Sequence, residues 1–320
     1  MDFSEFSEMF SKFINKKVYV GFSGGSDSTA VLVLANHFKY VYGYELYPIN
    51  FEHGIRGEES IKDSESCNEF CLSLGLNLRV ISLNLSKDTP NVECVARTKR
   101  LKNYSELITD KENSVVLLGH HMDDRIENFF IRISRGANIS GLFGLSQSTE
   151  IYGVKYFRPL FNHHKNEIER FLMSNKINWR IDSTNSDDYY SRNYIRNVIL
   201  PGWYSSRVPI KSGIKTCMNN LEIDNDFIKS VVELEFNKIR TESKLKIEYF
   251  TSLHEAIRNR ILRLWIMTKD PEYIIRKGTI DQFNKMIQVI SKNSIRRLSL
   301  TSKLELEFRS EYIYIRKKVK

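Results

Sequence analysis

Short β-branched apolar runs alternate with longer segments of helical period from residue 17 onward. The runs typical of strands are KVYVGF, YELYPINF, LRVISLNL and SVVLLGH, and the segments typical of helices are STAVLVLANHF, ESIKDSESCNEFCLSLG and VECVARTKRLKNYSELI. Strands that are apolar almost without a break are buried on both faces, so this α/β pattern predicts a parallel sheet flanked by helices. Ligands of such sheets usually bind where the strands end, at their carboxyl edge.

Polar and turn-forming segments divide the rest of the chain. GANISGLFGLSQSTE at 136–150 and DSTNSDDYYSRN at 182–193 are candidates for mobile active-site loops, and LPGWYSSRVPIKSG at 200–213 has the composition of a linker. Beyond it the periodicity is mainly helical, and RLSLTSKLELEFRSEYIYIRKK then alternates as two or three short strands. We therefore expect a catalytic domain over residues 1–205 and a smaller, mainly helical domain over 206–320 that ends in short β-strands.

The positive charge is unevenly distributed. The net charge is +9, and residues 211–320 hold 23 lysines and arginines against 14 acidic residues, whereas residues 1–210 hold 25 of each. This asymmetry predicts a polyanionic partner, such as RNA, bound by the last third of the chain. Charge alone leaves the alternative open that these residues serve only solubility.

Membrane, disulfide and metal-cluster classes have little support. The N-terminal segment is acidic and lacks the apolar region that a signal peptide has. The longest unbroken apolar stretch, Ala30–Ala35, is too short to span a bilayer. We therefore expect a cytoplasmic protein. The four cysteines have no C-x-x-C spacing and no accompanying ligand set, so neither disulfides nor a zinc or iron–sulfur site is expected.

The first predicted strand runs into a Gly/Ser-rich turn and then a helix, in VGFSGGSDST at residues 20–29. The turn leaves backbone N–H groups unpaired at the positive end of the helix, which makes an anion site. Asp27 fits such a site if it holds the Mg²⁺ that accompanies a nucleotide. The turn lacks the Walker lysine and the Rossmann glycine spacing. A flexible turn that merely caps the helix is the alternative.

The run SGGSDS matches the S-G-G-x-D-S signature of the N-type ATP pyrophosphatases, which cleave ATP between the α and β phosphates to adenylate a substrate oxygen. The resemblance implies an adenine nucleotide alpha hydrolase-like fold. It also implies that Asp27 is catalytic and holds Mg²⁺. ATP would be bound by the turn, that is by Ser23, Gly24, Gly25, Ser26, Asp27 and Ser28.

Later segments resemble the tRNA(Ile)-lysidine synthases in order and spacing over residues 17–201. These segments are FEHGIRGEES, NVECVARTKR, LLGHHMDDRIENFFIRISRGANISGL, RPLFNHHKNEIERFL and DSTNSDDYYSRNYIRNVILP; the C-terminal strands resemble the short members of that family more loosely. The family implies a ligase that forms a carbon–nitrogen bond. ATP adenylates the C2 oxygen of the wobble cytidine in a tRNA(Ile) with a CAU anticodon, and the ε-amine of free lysine then displaces AMP to give lysidine.

The lysine nucleophile needs acidic groups nearby. With a pKa of about 10.4, only about one lysine amine in a few thousand is neutral at pH 7, so a carboxylate must take its proton. Asp124 and Glu127 follow the fourth predicted strand, and their i, i+3 spacing places them on one helical face. The resemblance implies that both are catalytic. The same spacing is also that of a helix capping box.

Several basic and polar residues are site candidates through the resemblance. His53 and Arg97 are implied to bind ATP, and the lysine and tRNA candidates are Arg135, Arg192, Asn193 and Arg196. Arginine presents a planar fork to phosphate, although two arginines one turn apart are most often a solvated helix face.

Two other functions are compatible with parts of the sequence. A tRNA thiolase of the same superfamily would deliver sulfur in place of lysine, but Cys94 and Cys217 lack the expected motif context. A non-catalytic tRNA-binding homologue would have a decayed ATP site, whereas SGGSDS with its Asp27 is intact.

Overall fold

The computed structural model describes residues 1–52, 54, 58–86, 89–90, 92–180, 191–205, 210–239, 244–270, 273, 275–289, 295–302 and 304–318. The chain divides into two compact units, Met1–Lys215 and Thr216–Lys320. Most of the segment 182–193, one of the two predicted active-site loops, lies outside the described residues.

The first unit is built on a six-stranded sheet in the order β3-β2-β1-β4-β6-β5. Its strands are β1 (Lys17–Gly21), β2 (Glu45–Glu52), β3 (Arg79–Ser82), β4 (Ser114–Leu117), β5 (Ser148–Ile151) and β6 (Val154–Phe157). All pairings are parallel except that of β5 with β6. The predicted parallel sheet is confirmed. The strand order reverses between β1 and β4, and that crevice is where ligands of such folds bind.

Helices cover both faces of this sheet. They are α1 (Ser7–Ser11), α2 (Ser26–Tyr42), α3 (Glu58–Ser73), α4 (Val92–Leu107), α5 (Met122–Ser134), α6 (Ile139–Leu142), α7 (Lys165–Ser174), α8 (Ser191–Tyr194) and α9 (Leu200–Tyr204), with a 3₁₀ turn at Ser4–Phe6 and a π-type turn at Ile195–Ile199. Side chains alternate along β4, so Val115 and Leu117 join the core on one face while Val116 joins Tyr104 on the other.

Two segments differ from their predicted structure. The end of the predicted loop 136–150 forms β5, which pairs with β6 through a two-residue turn in which Tyr152 and Gly153 both have positive φ. The loop interpretation was wrong there because β5 is short and half-exposed. The linker interpretation of 200–213 was wrong at both ends, since α9 begins at Leu200 with Pro201 in its first turn, and another helix begins at Ile210.

The second unit packs helices on a four-stranded antiparallel sheet in the order β7-β10-β9-β8. Its elements are α10 (Ile210–Asn237, which begins in the first unit), β7 (Lys244–Lys246), α11 (Ile247–Ser252), α12 (Glu255–Met267), α13 (Lys277–Val289), β8 (Ile295–Ser299), β9 (Leu304–Arg309) and β10 (Tyr312–Lys317). Phe250, Trp265, Phe283 and Phe308 form the centre of its core. The terminal strands are confirmed; β7 was missed because three residues are too few for their alternation to stand out. Across the described ranges, no helix is long and apolar enough to cross a bilayer.

Candidate active site

The turn between β1 and α2 has a backbone that requires glycine. Gly24 has φ +80°, and a Cβ atom there would lie 3.0 Å from Cys67 Sγ. The Gly24 carbonyl accepts a hydrogen bond from the Arg180 N–H at 2.9 Å, which ties the turn to the segment after α7. The conformation of the turn is therefore fixed by its surroundings.

Hydrogen bonds inside the turn fix it further. Ser28 Oγ accepts from the Ser23 N–H at 3.1 Å and donates to the Gly25 carbonyl at 3.0 Å, and the Ser23 and Ser28 hydroxyls lie 3.1 Å apart. The amides in the first turn of α2 have no partners inside the helix, so they are available to an anion, as the sequence predicts. These bonds distinguish the turn from a flexible cap.

A second glycine brings the end of β4 against this turn. A Cβ atom on Gly119 would lie 3.0 Å from both the Asp27 carbonyl carbon and the Ser28 nitrogen, so the two backbones touch. Beyond it α5 begins at Met122, and the Asp123 carboxylate accepts a 2.7 Å hydrogen bond from the first N–H of α7, that of Lys165. The N-termini of α2, α5 and α7 thus meet here, and their dipoles favour a bound anion.

Asp27 lies between a lysine and a histidine side chain. Lys165 Nζ lies 2.8 Å from Asp27 Oδ1, and His121 Nε2 lies 3.6 Å from Asp27 Oδ2. Burial opposes ionisation of Asp27, but His121 and Lys165 outweigh it and hold the pKa of the carboxyl below its ordinary value. His121 Nε2 is also 3.6 Å from Asp124 Oδ2, so one imidazole links the two predicted catalytic carboxylates.

Asp124 and Glu127 have different environments. Asp124 is the third residue of α5, and its Oδ2 accepts a hydrogen bond from the His121 N–H at 3.0 Å. Asp124 and His121 therefore cap the N-terminus of this helix together. Glu127 therefore has no part in the capping box considered from the sequence. Its side chain is 1% exposed and receives two hydrogen bonds from Arg196, at 2.6 and 2.9 Å. Burial raises the pKa of the Glu127 carboxyl above its ordinary value, against the effect of Arg196.

A cavity of about 380 Å³ opens at this edge of the sheet, within the size range of small-molecule sites. Its polar lining comes from Ser23, Gly25, Asp27, Ser28, Arg97, Arg100, Gly119, His120, Asp124 and Arg192. Its apolar lining comes from Gly21, Phe22, Ile49, Phe51, Leu101, Tyr104, Leu118 and Tyr156. The lining therefore combines the turn after β1 and several arginines with aromatic side chains of a kind that suits a flat base.

Most of the predicted site residues meet at this cavity or directly behind it. Those that line it are Ser23, Gly25, Asp27, Ser28, Arg97, Asp124 and Arg192. Gly24 and Ser26 complete the turn. Arg196 pairs with Glu127, and its Nη2 also lies 3.6 Å from Asp124 Oδ1.

Two of the predicted residues that the structure describes stand apart from the cavity lining. Asn193 is half-buried on α8. Arg135 is exposed at the C-terminal end of α5, about 16 Å along the helix axis from Asp124. At that distance Arg135 is suited to a large substrate such as RNA. His53 lies outside the described residues.

The structure adds residues that sequence reasoning gave no role or only a weak one. Lys165 reaches Asp27 from α7, the buried Arg158 contacts His120 at 3.3 Å, and Tyr104 and Tyr156 form part of the cavity wall. Lys165 and Arg158 both fall in RPLFNHHKNEI, which had been noted only for its family resemblance. Their spacing along the chain carries no signal for contacts with Asp27 in α2 and with His120 beyond the end of β4.

The first strand of this parallel sheet runs through Ser-Gly-Gly-Ser-Asp-Ser into a helix, and the end of the neighbouring strand closes a cavity over that turn. This arrangement defines a nucleotide-binding α/β domain of the ATP pyrophosphatase class. The PP-loop domain family matches residues 2–203, so the chain belongs to that family.

Curated relatives share sequence beyond this domain. A tRNA(Ile)-lysidine synthase of Clostridioides difficile is 32% identical over 259 residues, which are 77% of this chain and 55% of that protein. A protein of the same name from Buchnera aphidicola is 30% identical over 268 residues, 82% of this chain and 59% of that protein. The chain thus spans a little over half the length of these relatives.

Among solved structures, the chain is similar to the U34-tRNA thiolase NcsA from Methanococcus maripaludis, whose structure contains a [4Fe-4S] cluster. The TM-score is 0.55 and the identity 19%, with 68% of this chain and 77% of that chain covered. This similarity supports the fold and carries no argument about activity.

Proposed function

We propose that this protein uses ATP to adenylate the C2 oxygen of the wobble cytidine in a tRNA(Ile) with a CAU anticodon, and then joins free lysine to that carbon, releasing pyrophosphate and AMP. The observation that carries the proposal is the convergence of two chemistries at one cavity. The phosphate-binding turn with Asp27 and the acidic helix start with Asp124 are linked through a single imidazole, that of His121. The named relatives support the choice of substrates.

The first step needs ATP bound by its phosphates with the α-phosphorus open to attack. The turn at the N-terminus of α2 suits the phosphates, and the wall with Tyr104 and Tyr156 suits adenine. A pyrimidine carbonyl oxygen is a poor leaving group whereas AMP is a good one, so activation must come first. Lys165 supplies from α7 the cation that a Walker turn carries within its own sequence.

The residues present fit Mg²⁺ bound together with ATP. Mg²⁺ is commonly held by one or two carboxylates plus substrate phosphates, and Asp27 is a 30% exposed carboxylate that lines the cavity beside the phosphate-binding turn. Among the described residues, no three His, Cys, Asp or Glu side chains form a site for a metal ion by themselves. When bound with ATP, Mg²⁺ would neutralise phosphate charge.

The second step needs the lysine ammonium to be held and then deprotonated. Glu127 suits both roles, because its buried carboxylate already holds one cation, Arg196, and its pKa is raised by burial. The substrate ammonium carries the same positive charge as the Arg196 guanidinium and would replace it as the partner of the Glu127 carboxylate. Arg192, whose Nε lies 3.9 Å from Glu127 Oε2, is positioned to share that exchange.

We assign tRNA backbone contacts to the second unit, whose antiparallel sheet has one polar and one buried face. The strand register places Lys246, Tyr312 and Arg309 side by side, with Lys244 and Tyr314 in the next row. The intervening residues, including Leu245, Phe308 and Ile313, point into the core. Cations beside aromatic rings suit a nucleic-acid backbone and unstacked bases.

Substituting both Lys244 and Lys246 by alanine is expected to weaken tRNA binding and to lower the steepness of its salt dependence. Each lost phosphate contact removes about 0.7 to 0.9 from the slope of log affinity against log salt. Binding of the tRNA transcript measured across a salt series checks this. Alanine at two exposed lysines of the first unit, Lys12 and Lys176, is the matched control. An unchanged slope in the Lys244/Lys246 variant would remove these residues from the interface.

The proposed activity is tested by incubating the protein with ATP, Mg²⁺, radiolabelled lysine and CAU-anticodon transcripts of isoleucine or methionine tRNA. We expect label in the isoleucine transcript alone, with one AMP formed per lysine joined. Sulfur incorporation from a donor, without lysine, would instead assign the chain to the thiolases. Tight tRNA binding without AMP formation would assign it to the non-catalytic homologues.

A further inference from the structure

Arg158 is a buried arginine whose partners are unusual for a guanidinium. It follows β6 and is 2% exposed. Its Nη1 donates to the Ser146 carbonyl at 2.7 Å and to Thr149 Oγ1 at 3.3 Å, and its Nε donates to His120 Nδ1 at 3.3 Å. Within the described residues it pairs with no carboxylate, although buried charges are normally paired. A side chain kept in this position without an acid partner points to a role in holding His120.

The contact fixes the state of the His120 ring. A guanidinium can only donate hydrogen bonds, so His120 Nδ1 must be the acceptor and carry no proton. The neutral ring then has its hydrogen on Nε2. Burial is the main influence that lowers the pKa of His120, to about 4; Arg158, Arg97 and Arg192 act in the same direction, whereas Asp124 opposes them. His120 is therefore neutral at pH 7.

The Nε2–H group of His120 is open to the cavity. His120 lines that cavity, and within the described part of the chain Nε2 has no hydrogen-bond partner. The His120 side chain is only partly buried. The ring thus has one nitrogen occupied by Arg158 and the other free to donate to a bound molecule.

We propose that His120 binds the nucleotide as a neutral Nε2–H donor to a phosphate oxygen, and that Arg158 is a positioning residue that sets this tautomer. The inference rests on the nucleotide binding of the proposed function. An oxyanion in the cavity would normally draw a second proton onto a histidine. Here the Arg158 N–H occupies the position that this proton would take, so the ring stays a donor with a single hydrogen.

Nucleotide binding by two variants of His120 provides a first test. Glutamine places an amide nitrogen near the position of Nε2, and asparagine places one near Nδ1, so H120Q retains the proposed donor and H120N removes it. We expect calorimetric titration with ATP to give affinities within about 3-fold of wild type for H120Q. H120N should be about 10- to 100-fold weaker, since the lost bond is to a charged acceptor. Equal affinities of the two variants would overturn the proposal.

The tautomer of the His120 ring in the wild-type protein provides a second test, and measuring it requires no substitution that could disturb the fold. In protein labelled with ¹⁵N-histidine, one of the seven histidines is expected to have a protonated Nε2 and a bare Nδ1 from about pH 6 to pH 8, and its signal is assigned by its absence in H120Q. R158M should lose this single tautomer and R158K should keep it. A proton on Nδ1 in wild type, or an unchanged tautomer in R158M, would contradict the inference.

These outcomes are separate from those of the proposed reaction. A protein with the expected tautomer and the expected H120N defect that transfers no lysine contradicts the proposed function and leaves the role of His120 intact. If the wild-type protein forms lysidine but the H120N variant binds ATP with wild-type affinity, only the role of His120 is contradicted.

Discussion

Replacing Asp27 by alanine is expected to lower AMP formation by about 10³-fold, because the variant loses the carboxylate that fits Mg²⁺ beside the nucleotide phosphates. The loss should affect the first half-reaction, measured as pyrophosphate and AMP released in the presence of tRNA without lysine. The turn itself should persist, since the hydrogen bonds among Ser23, Gly25 and Ser28 do not use the Asp27 side chain, which accepts only a long 3.5 Å bond from Ser26 Oγ within the turn.

Two other variants separate this effect from loss of the ion pair. Lys165→Ala breaks the same contact but leaves Asp27 in place, so we expect a fall of only about 10-fold in the rate at low ATP. Asp226→Ala removes an exposed carboxylate paired with Lys229 on α10 and should leave the rate unchanged. Wild-type AMP release by the Asp27 variant would rule out its proposed role, and equal losses at Asp27 and Lys165 would assign the effect to the pair.

Replacing Glu127 by glutamine or alanine is expected to reduce lysine transfer by about 10²-fold or more while adenylation falls by less than about 5-fold. The reason is that Glu127 is the buried carboxylate that holds a cation, and it is absent from the lining of the cavity that faces the phosphate-binding turn. The two half-reactions are measured separately, as AMP release without lysine and as label transferred to RNA with lysine.

Controls for Glu127 address folding as well as chemistry. Both variants remove the closer of the two carboxylate partners of Arg196 and leave only Asp124, so thermal unfolding is measured alongside activity. Glutamine is the milder change because it keeps the side-chain volume. Glu69→Gln, an exposed position on α3, is the matched control and should alter neither step. A parallel fall in both half-reactions for a folded Glu127→Gln protein would argue against the division of roles.

The sheet could be predicted from the sequence wherever its strands are buried on both faces. β1, β2 and β4 are apolar runs that stand out from the helical segments between them. β5 and β7 could not be predicted, because β5 has three polar residues among its four and β7 has only three residues, too few for the single apolar Leu245 to indicate a strand. Those strands are set by tertiary pairing with β6 and β10.

The site was predictable where its residues are close in sequence. The turn from Ser23 to Ser28 carries its own signature, and the spacing of Asp124 and Glu127 follows from helix geometry. Lys165 and Arg158 were not predictable, because each meets its partner across more than 30 residues of chain. Arg135 shows the opposite case, since the family resemblance singled it out but the structure puts it at the far end of α5.

The main-chain contact of Gly119 with Asp27 and Ser28 fixes one dimension of the cavity. The separation between the phosphate-binding turn and the acidic helix depends on neither rotamers nor salt bridges, because two peptide backbones abut directly. Side chains around the cavity can therefore change over evolution to suit other substrates, while the distance between the turn after β1 and the start of α5 stays constant. A single methyl group at position 119 would be enough to change that distance.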